Sequence, residues 1–226
     1  MLGRLHVRGV AAVVDALTRA GKLAIGEADR LWRLDIYDPR RSDKSLEAAK
    51  SKGHISFMLM ACGWTWEAPY QGDGAVEWCG IFAGTCWKAA GLDPKWLATY
   101  FASTYRLDLW GSYRSFNSAH PNPAPKTDRR LMASLDRDST SLPFEPMPGD
   151  ILMIGDGSPA CGDHICLVES YANGIFKTIE GNGVGLGPNG NRRQGVVKAE
   201  RKLGGEGYCA RRLIRPGFGD LLAEKP

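Results

Sequence analysis

The 226-residue chain is 43% hydrophobic and 24% charged, so a packed core can form without disulfide staples. A net charge of +4 is too small to argue for a nucleic-acid partner. No run of about twenty apolar residues exists, which excludes a helical membrane span.

The chain opens with basic residues and a short apolar run, Val10–Val14, closed by Asp15. This reads as an amphipathic helix and not as a secretion signal. The expectation is synthesis in the cytoplasm without a signal peptide, with Cys62, Cys79, Cys86, Cys161, Cys166 and Cys209 as free thiols. Residues 8–34 read as helix in two pieces. Val10, Val13, Val14 and Leu17 recur at helical spacing, Gly21 ends the first piece, and Gly26-Glu27-Ala28-Asp29 opens the second. Ser45 to Met60 reads as a third helix, and residues 63–74, rich in Trp, Gly and Pro, as loop. From Ala75, residues Val76, Cys79, Phe82, Ala83, Cys86 and Ala90 keep one helical face, until Gly91 and Pro94 end it. Residues 95–110 are expected to be helical, and 111–128 to be a polar, Pro-rich surface loop.

After Pro143 the pattern turns to short strands. Ile151–Ile154 is a continuous apolar run, and Gly155–Gly162 is a loop. His164–Ser170 and Ile175–Glu180 flank the hairpin turn Asn173-Gly174. Gly181–Asn191 reads as a Gly-rich loop, and Val196–Ala199 and Tyr208–Ile214 as further strands. Helices first and strands afterwards predict an α+β fold, a helix packed on an antiparallel sheet, with an N-terminal helical extension. The expected division is a helical region over 1–60 and a second domain over 61–226. Arg192, Arg193, Lys198, Arg201, Lys202, Arg211, Arg212 and Arg215 crowd the last forty residues, as a solvated basic face or as a patch for an anionic polymer.

One set of residues carries chemistry. Thiol catalysis needs a thiolate, an imidazole beside it, and a group that fixes the imidazole. Cys79 is placed where a loop enters a helix, whose unpaired N–H groups and dipole favour an anion. Cys86, two turns further along the same stripe, reads as core. His164 opens a strand, and across the Asn173-Gly174 hairpin the chain returns with Glu180 or Asn182 to face it.

Glu77-Trp78-Cys79-Gly80-Ile81-Phe82, Pro148-Gly149-Asp150-Ile151, Asp163-His164-Ile165-Cys166-Leu167-Val168 and Thr178-Ile179-Glu180-Gly181-Asn182 together resemble the ordered motifs of CHAP-type proteins, the cysteine, histidine-dependent amidohydrolases/peptidases. NlpC-type peptidases are close relatives of that family. The resemblance covers about residues 62–215. It implies a papain-like fold and cofactor-free hydrolysis of an amide or peptide bond of peptidoglycan. Cys79 is then the nucleophile, His164 the base, and Glu180 or Asn182 the orienting residue. Gln71 is a candidate oxyanion donor, and Trp64, Trp66 and Trp78 are candidates to line a glycan groove. Asp163 stands where the family often has glycine, and the first sixty residues match no motif of it.

Without a signal peptide, a wall substrate implies a phage lysin, an injected antibacterial effector with secretion machinery and an immunity protein as partners, or a cytoplasmic amidase on another substrate. Two other classes compete. Cys161, His164 and Cys166, with Cys209 as a fourth ligand, make a rival zinc site of unusual spacing. A non-catalytic cell-wall-binding module is the other. The repeated glycines at 181, 183, 185 and 187 are not followed by a helix, so they do not make a dinucleotide site.

Overall fold

The computed structural model describes residues 2–37, 45–63, 78–97, 101, 131–135, 138–155, 164–205, 208–217 and 220–221, with side chains of the first helix described from Val14 onward. Three helices, α1 (Leu2–Arg33), α2 (Leu46–Ala61) and α3 (Cys79–Ala89), precede six strands. The strands are β1 (Leu131–Ser134), β2 (Ile151–Gly155), β3 (His164–Ala172), β4 (Ile175–Leu186), β5 (Arg192–Lys202) and β6 (Cys209–Arg215). They form one sheet in the order β1-β6-β2-β3-β4-β5, antiparallel throughout that order. The sheet curls until Lys202 of β5 meets Cys209 of β6 in a single parallel pairing. This is the α+β arrangement expected, with an N-terminal helical region. None of the described helices is long and apolar enough to cross a membrane.

The curled sheet has a core on each face. On one side Ile151, Met153, Ile165, Leu167, Ile179 and Ile214 pack against the helices. On the other, Leu152, Ile154, Cys166, Val168, Phe176 and Leu213 fill the concave side. Helix α3 lies against the first face and is buried at every position from Cys79 to Trp87, so it carries no polar stripe. Gly80 permits this depth: a Cβ there would stand 2.0 Å from the Phe101 carbonyl oxygen. Gly91, at φ +96°, ends the helix in the left-handed conformation that glycine tolerates.

Helix α1 is continuous, not two pieces. Gly21 lies inside it because its missing side chain lets the helix touch the turn before β2: a Cβ would stand 2.2 Å from the Pro148 carbonyl oxygen. Close packing outweighs the helix-breaking tendency of glycine here. Ala20, Ala24, Ala28 and Leu31 continue the same buried stripe into the core shared with α3. The Pro148-Gly149-Asp150 turn is thus a junction. Trp87 Nε1 donates to the Gly149 carbonyl at 2.9 Å, and Arg215 grips the Asp150 carboxylate with bonds of 2.8 and 2.7 Å.

Three further expectations change. The Gly-rich loop over 181–191 shrinks to 187–191, because β4 runs on to Leu186 and pairs with β5 up to Leu186–Arg192. Gly183 and Gly185 give the reason: added Cβ atoms would meet Val197 and Lys198 within about 3 Å, so glycine lets the two strands close. β1, only four residues long, has no counterpart among the expected strands. Of the helix expected over 95–110, a 3-10 turn, Pro94–Trp96, is described; most of the rest lies outside the described residues. The loops expected over 63–74, 111–128 and 155–162 also fall largely or wholly outside them.

Candidate active site

Cys79 is the first residue of α3, after Trp78 as N-cap. Trp78 makes no side-chain capping bond, and a helix's first N–H groups have no intrahelical acceptor. The sulfur therefore sits where backbone donors and the positive end of the helix dipole converge. This end of α3 abuts the start of β3, where Ile165 lies close over Gly80. His164 precedes Ile165 and turns to the cavity at the sheet's end.

The imidazole lies between two partners. Its Nε2 is 3.0 Å from Oε2 of Glu180. That leaves Nδ1 for the side of Cys79, whose sulfur lies close enough to favour the charged ring. Burial works against charge on the ring, but Cys79 and then Glu180 overcome it and raise the His164 pKa to about 9. The ring is thus held as imidazolium at neutral pH. Glu180 is fully buried. Its burial opposes ionisation, yet bonds from His164 and Arg201 lower its pKa to about 2.

Register decides between the two expected orienting residues. Glu180 pairs with Cys166, two residues from His164 on the same face, and its side chain spans that diagonal. A bulge then separates Glu180 from Gly183, and Asn182 takes φ +56°. Asn182 Oδ1 accepts instead from Gln194 Nε2 at 3.0 Å. Glu180 holds the histidine, and Asn182 lines the same cavity.

That cavity measures about 280 Å³ and is lined by Cys79, Ile154, His164, Asn182, Gly183, Val184, Arg201 and Tyr208. Three expected site residues, Cys79, His164 and Asn182, therefore line it, and Glu180 stands behind the His164 ring. Trp78 does not: it is 1% exposed and packs under Gly181 in the core. A side chain at 181 would collide first with Phe82 and then with that ring, which explains the glycine. Gln71, Trp64 and Trp66 lie outside the described residues.

The rival zinc set does not assemble among the described residues, where no cluster of three or more His, Cys, Asp or Glu is placed to hold a metal ion. Cys166 Sγ, fully buried, donates to the Leu152 carbonyl at 3.4 Å; Cys161 lies outside the described residues. The basic cluster also resolves into pairs. Arg193 pairs with Asp35, Lys198 with Asp29 and Glu169, Arg201 with Glu180, and Arg215 with Asp150. Four of those eight cations thus form ion pairs with described carboxylates.

Two residues join the site without having been singled out for it. Thr178 Oγ1 donates to Glu180 Oε1 at 2.6 Å, and Arg201 donates from Nε to Oε1 at 2.8 Å and from Nη2 to Oε2 at 2.5 Å. Thr178 stands at i−2 to Glu180 on one strand face, a spacing the sequence shows. Arg201 becomes visible only with the β4–β5 register, which a loop reading of 181–191 conceals. Comparison with family models, curated proteins and solved structures returned no match to this chain.

Proposed function

We propose that the protein is a cysteine-dependent amide hydrolase of papain-like arrangement that acts on peptidoglycan. The observation that carries the chemistry is the line of contacts from the Cys79 thiol through the His164 ring to the Glu180 carboxylate, at the head of a buried helix. The ordered CHAP-like motifs supply the substrate class.

In this reading the Cys79 sulfur attacks the carbonyl carbon of a wall amide. The N–H groups at the start of α3 receive the developing oxyanion. His164, protonated, gives its proton to the leaving amine, and a thioester joins the acyl group to Cys79. Water then attacks the thioester, His164 takes its proton, and the product leaves as a carboxylate. Glu180 keeps the ring oriented with Nδ1 toward the sulfur. Asn182, with Oδ1 occupied by Gln194, has its amide N–H groups left for a substrate carbonyl in the cavity. The reaction needs no cofactor. A phage lysin and an injected effector are the settings that fit such a substrate; an effector would bring an immunity protein as partner.

The test is digestion of purified peptidoglycan by the wild-type chain and by Cys79→Ala, with mass analysis of soluble fragments. New amine and carboxylate ends from the wild type alone are expected. Identical fragment patterns from both proteins, or none from either, would end the proposal.

A further inference from the structure

Glu180 is an unusual orienting group, because it is charged, fully buried and shared. Its two oxygens accept four hydrogen bonds: His164 and Arg201 Nη2 on Oε2, Thr178 and Arg201 Nε on Oε1. Four bonds fill the acceptor capacity of a carboxylate, so the group can neither rotate nor take up a proton without breaking one. Two of the four come from one planar guanidinium in a forked contact, the geometry that Arg alone supplies. Arg201 reaches Glu180 from β5 while also lining the cavity that holds Cys79 and His164.

We propose that Arg201 is a positioning residue of the hydrolytic site: it cancels the charge of Glu180 while locking its orientation, so that His164 is directed by a pair of no net charge. This inference rests on the hydrolase reading. Its chemical sense lies in what a bare buried carboxylate would do. Unopposed, it would hold the imidazolium proton too tightly for transfer to a leaving amine, and would repel a thiolate at Cys79. With Arg201 present, the Arg⁺ and Glu⁻ pair sums to zero. In the acyl-enzyme, where the sulfur is acylated and His is neutral, no uncompensated charge is left in the buried site.

Among the described residues, the charged and titratable groups facing His164 are Cys79 from α3, Cys166 from its own strand, Glu180 from β4, Arg201 from β5, and Tyr208, which sits beside Arg201. Burial, and then Glu180, push the Cys166 thiol well above its ordinary range, so it stays neutral.

The experiment follows His164 by NMR in ¹³C-histidine-labelled full-length protein across pH, with thermal unfolding as a check on folding. In wild type the ring titrates near pH 9. Arg201→Met should move that titration upward by about one pH unit, because the carboxylate loses its counter-charge. Glu180→Gln should move it downward by at least as much, since the ring then faces the guanidinium. The double variant Glu180→Gln/Arg201→Met should return toward the wild-type value, because an uncharged amide then replaces an uncharged pair. Arg201→Lys keeps the charge but loses the fork, and should stay near wild type in titration while kcat falls.

A merely structural role gives the opposite sign. Loosening Glu180 by removing Arg201 would weaken its bond to the ring and lower the titration. A fall or no change with Arg201→Met therefore overturns the inference. Should that variant fail to fold, the double variant is compared with Glu180→Gln: equal titrations overturn the inference, and a value about one unit higher in the double supports it. Because the titration uses no peptidoglycan, an inert wall digest overturns the hydrolase reading alone, and an unmoved titration overturns the role of Arg201 alone.

Discussion

Cys79 and Cys86 lie two turns apart on one face of α3, and both are almost wholly buried, at 4% and 0% exposure. Around Cys79 the helix begins, its first N–H groups have no intrahelical acceptor, and an imidazole backed by a carboxylate stands alongside. Around Cys86 the helix continues and side chains close in. Burial, then the nearby charge of Glu27, push its thiol well above the ordinary range. Cys62, beside Thr85 on the same side of the core, is pushed up to about 11, mainly by burial. Exposure thus does not separate the proposed nucleophile from an inert thiol. The separation comes from a base at the helix's first turn, against apolar packing in its middle.

The sharpest way to break this comparison is to exchange the outcomes. Cys79→Ala should lower hydrolysis of peptidoglycan by about 10³-fold or more, with little change in thermal stability. Cys86→Ala should leave hydrolysis within about twofold while costing about 1 kcal/mol of stability. Comparable loss of activity from both variants would contradict the difference drawn between the two thiols.

Glu180→Ala sharpens the comparison from the other side. It strips the anion from a buried group of two cations, so a loss of about 3–5 kcal/mol is expected in denaturant unfolding. The site pair also leaves a pH signature below pH 9, whereas the raised core thiols lower stability only above their unfolded value of 9.0. His164 has its pKa raised from 6.5 to about 9, so its contribution to stability is complete below pH 6.5 and is lost as pH rises through 9. Glu180 has its pKa depressed from 4.5 to about 2, so its contribution is present above pH 4.5 and is lost as pH falls through 2. Thermal unfolding across pH should therefore show a plateau between about 4.5 and 6.5 and an alkaline decline. His164→Ala should flatten that decline.

Two helical glycines give effects of opposite sign. Gly80→Ala puts a methyl group against the Phe101 backbone at the site end of α3, and a loss of about 2 kcal/mol or more is expected. Gly53→Ala, on α2 with no atom within 4 Å of the new Cβ, should gain about 0.5–1 kcal/mol from helix propensity. Calorimetry on the two variants checks the opposite signs.

These residues also show how far the sequence carries. The helix starting at Ser45, the Asn173-Gly174 turn with both residues at positive φ, and the strand starting at His164 were legible because each is a local signal. Cys79, with Glu180 or Asn182 as alternatives opposite His164, was legible because a helix start and a two-residue hairpin fix position over short range; the choice of Glu180 needed the bulge after it. Gly21 misled because its reason is a partner 127 residues away, the Pro148 carbonyl. Gly181, Gly183 and Gly185 misled in the same way: they look like loop, yet each admits a neighbouring ring or strand. Trp78 looked like a groove residue beside the nucleophile, and only the covering Gly181 shows it to be core. Arg201 was read as one of many surface cations, since pairing across β4 and β5 is long-range information.

The most direct measurement is competitive alkylation of the native protein by limiting iodoacetamide, with each modified cysteine located by mass spectrometry, in wild type and His164→Ala. Cys79 should be labelled well before Cys62, Cys86 and Cys166, and that preference should collapse when the imidazole is removed. Labelling of Cys79 no faster than Cys86, or a preference that survives His164→Ala unchanged, would contradict the pairing of sulfur and ring on which the reading stands.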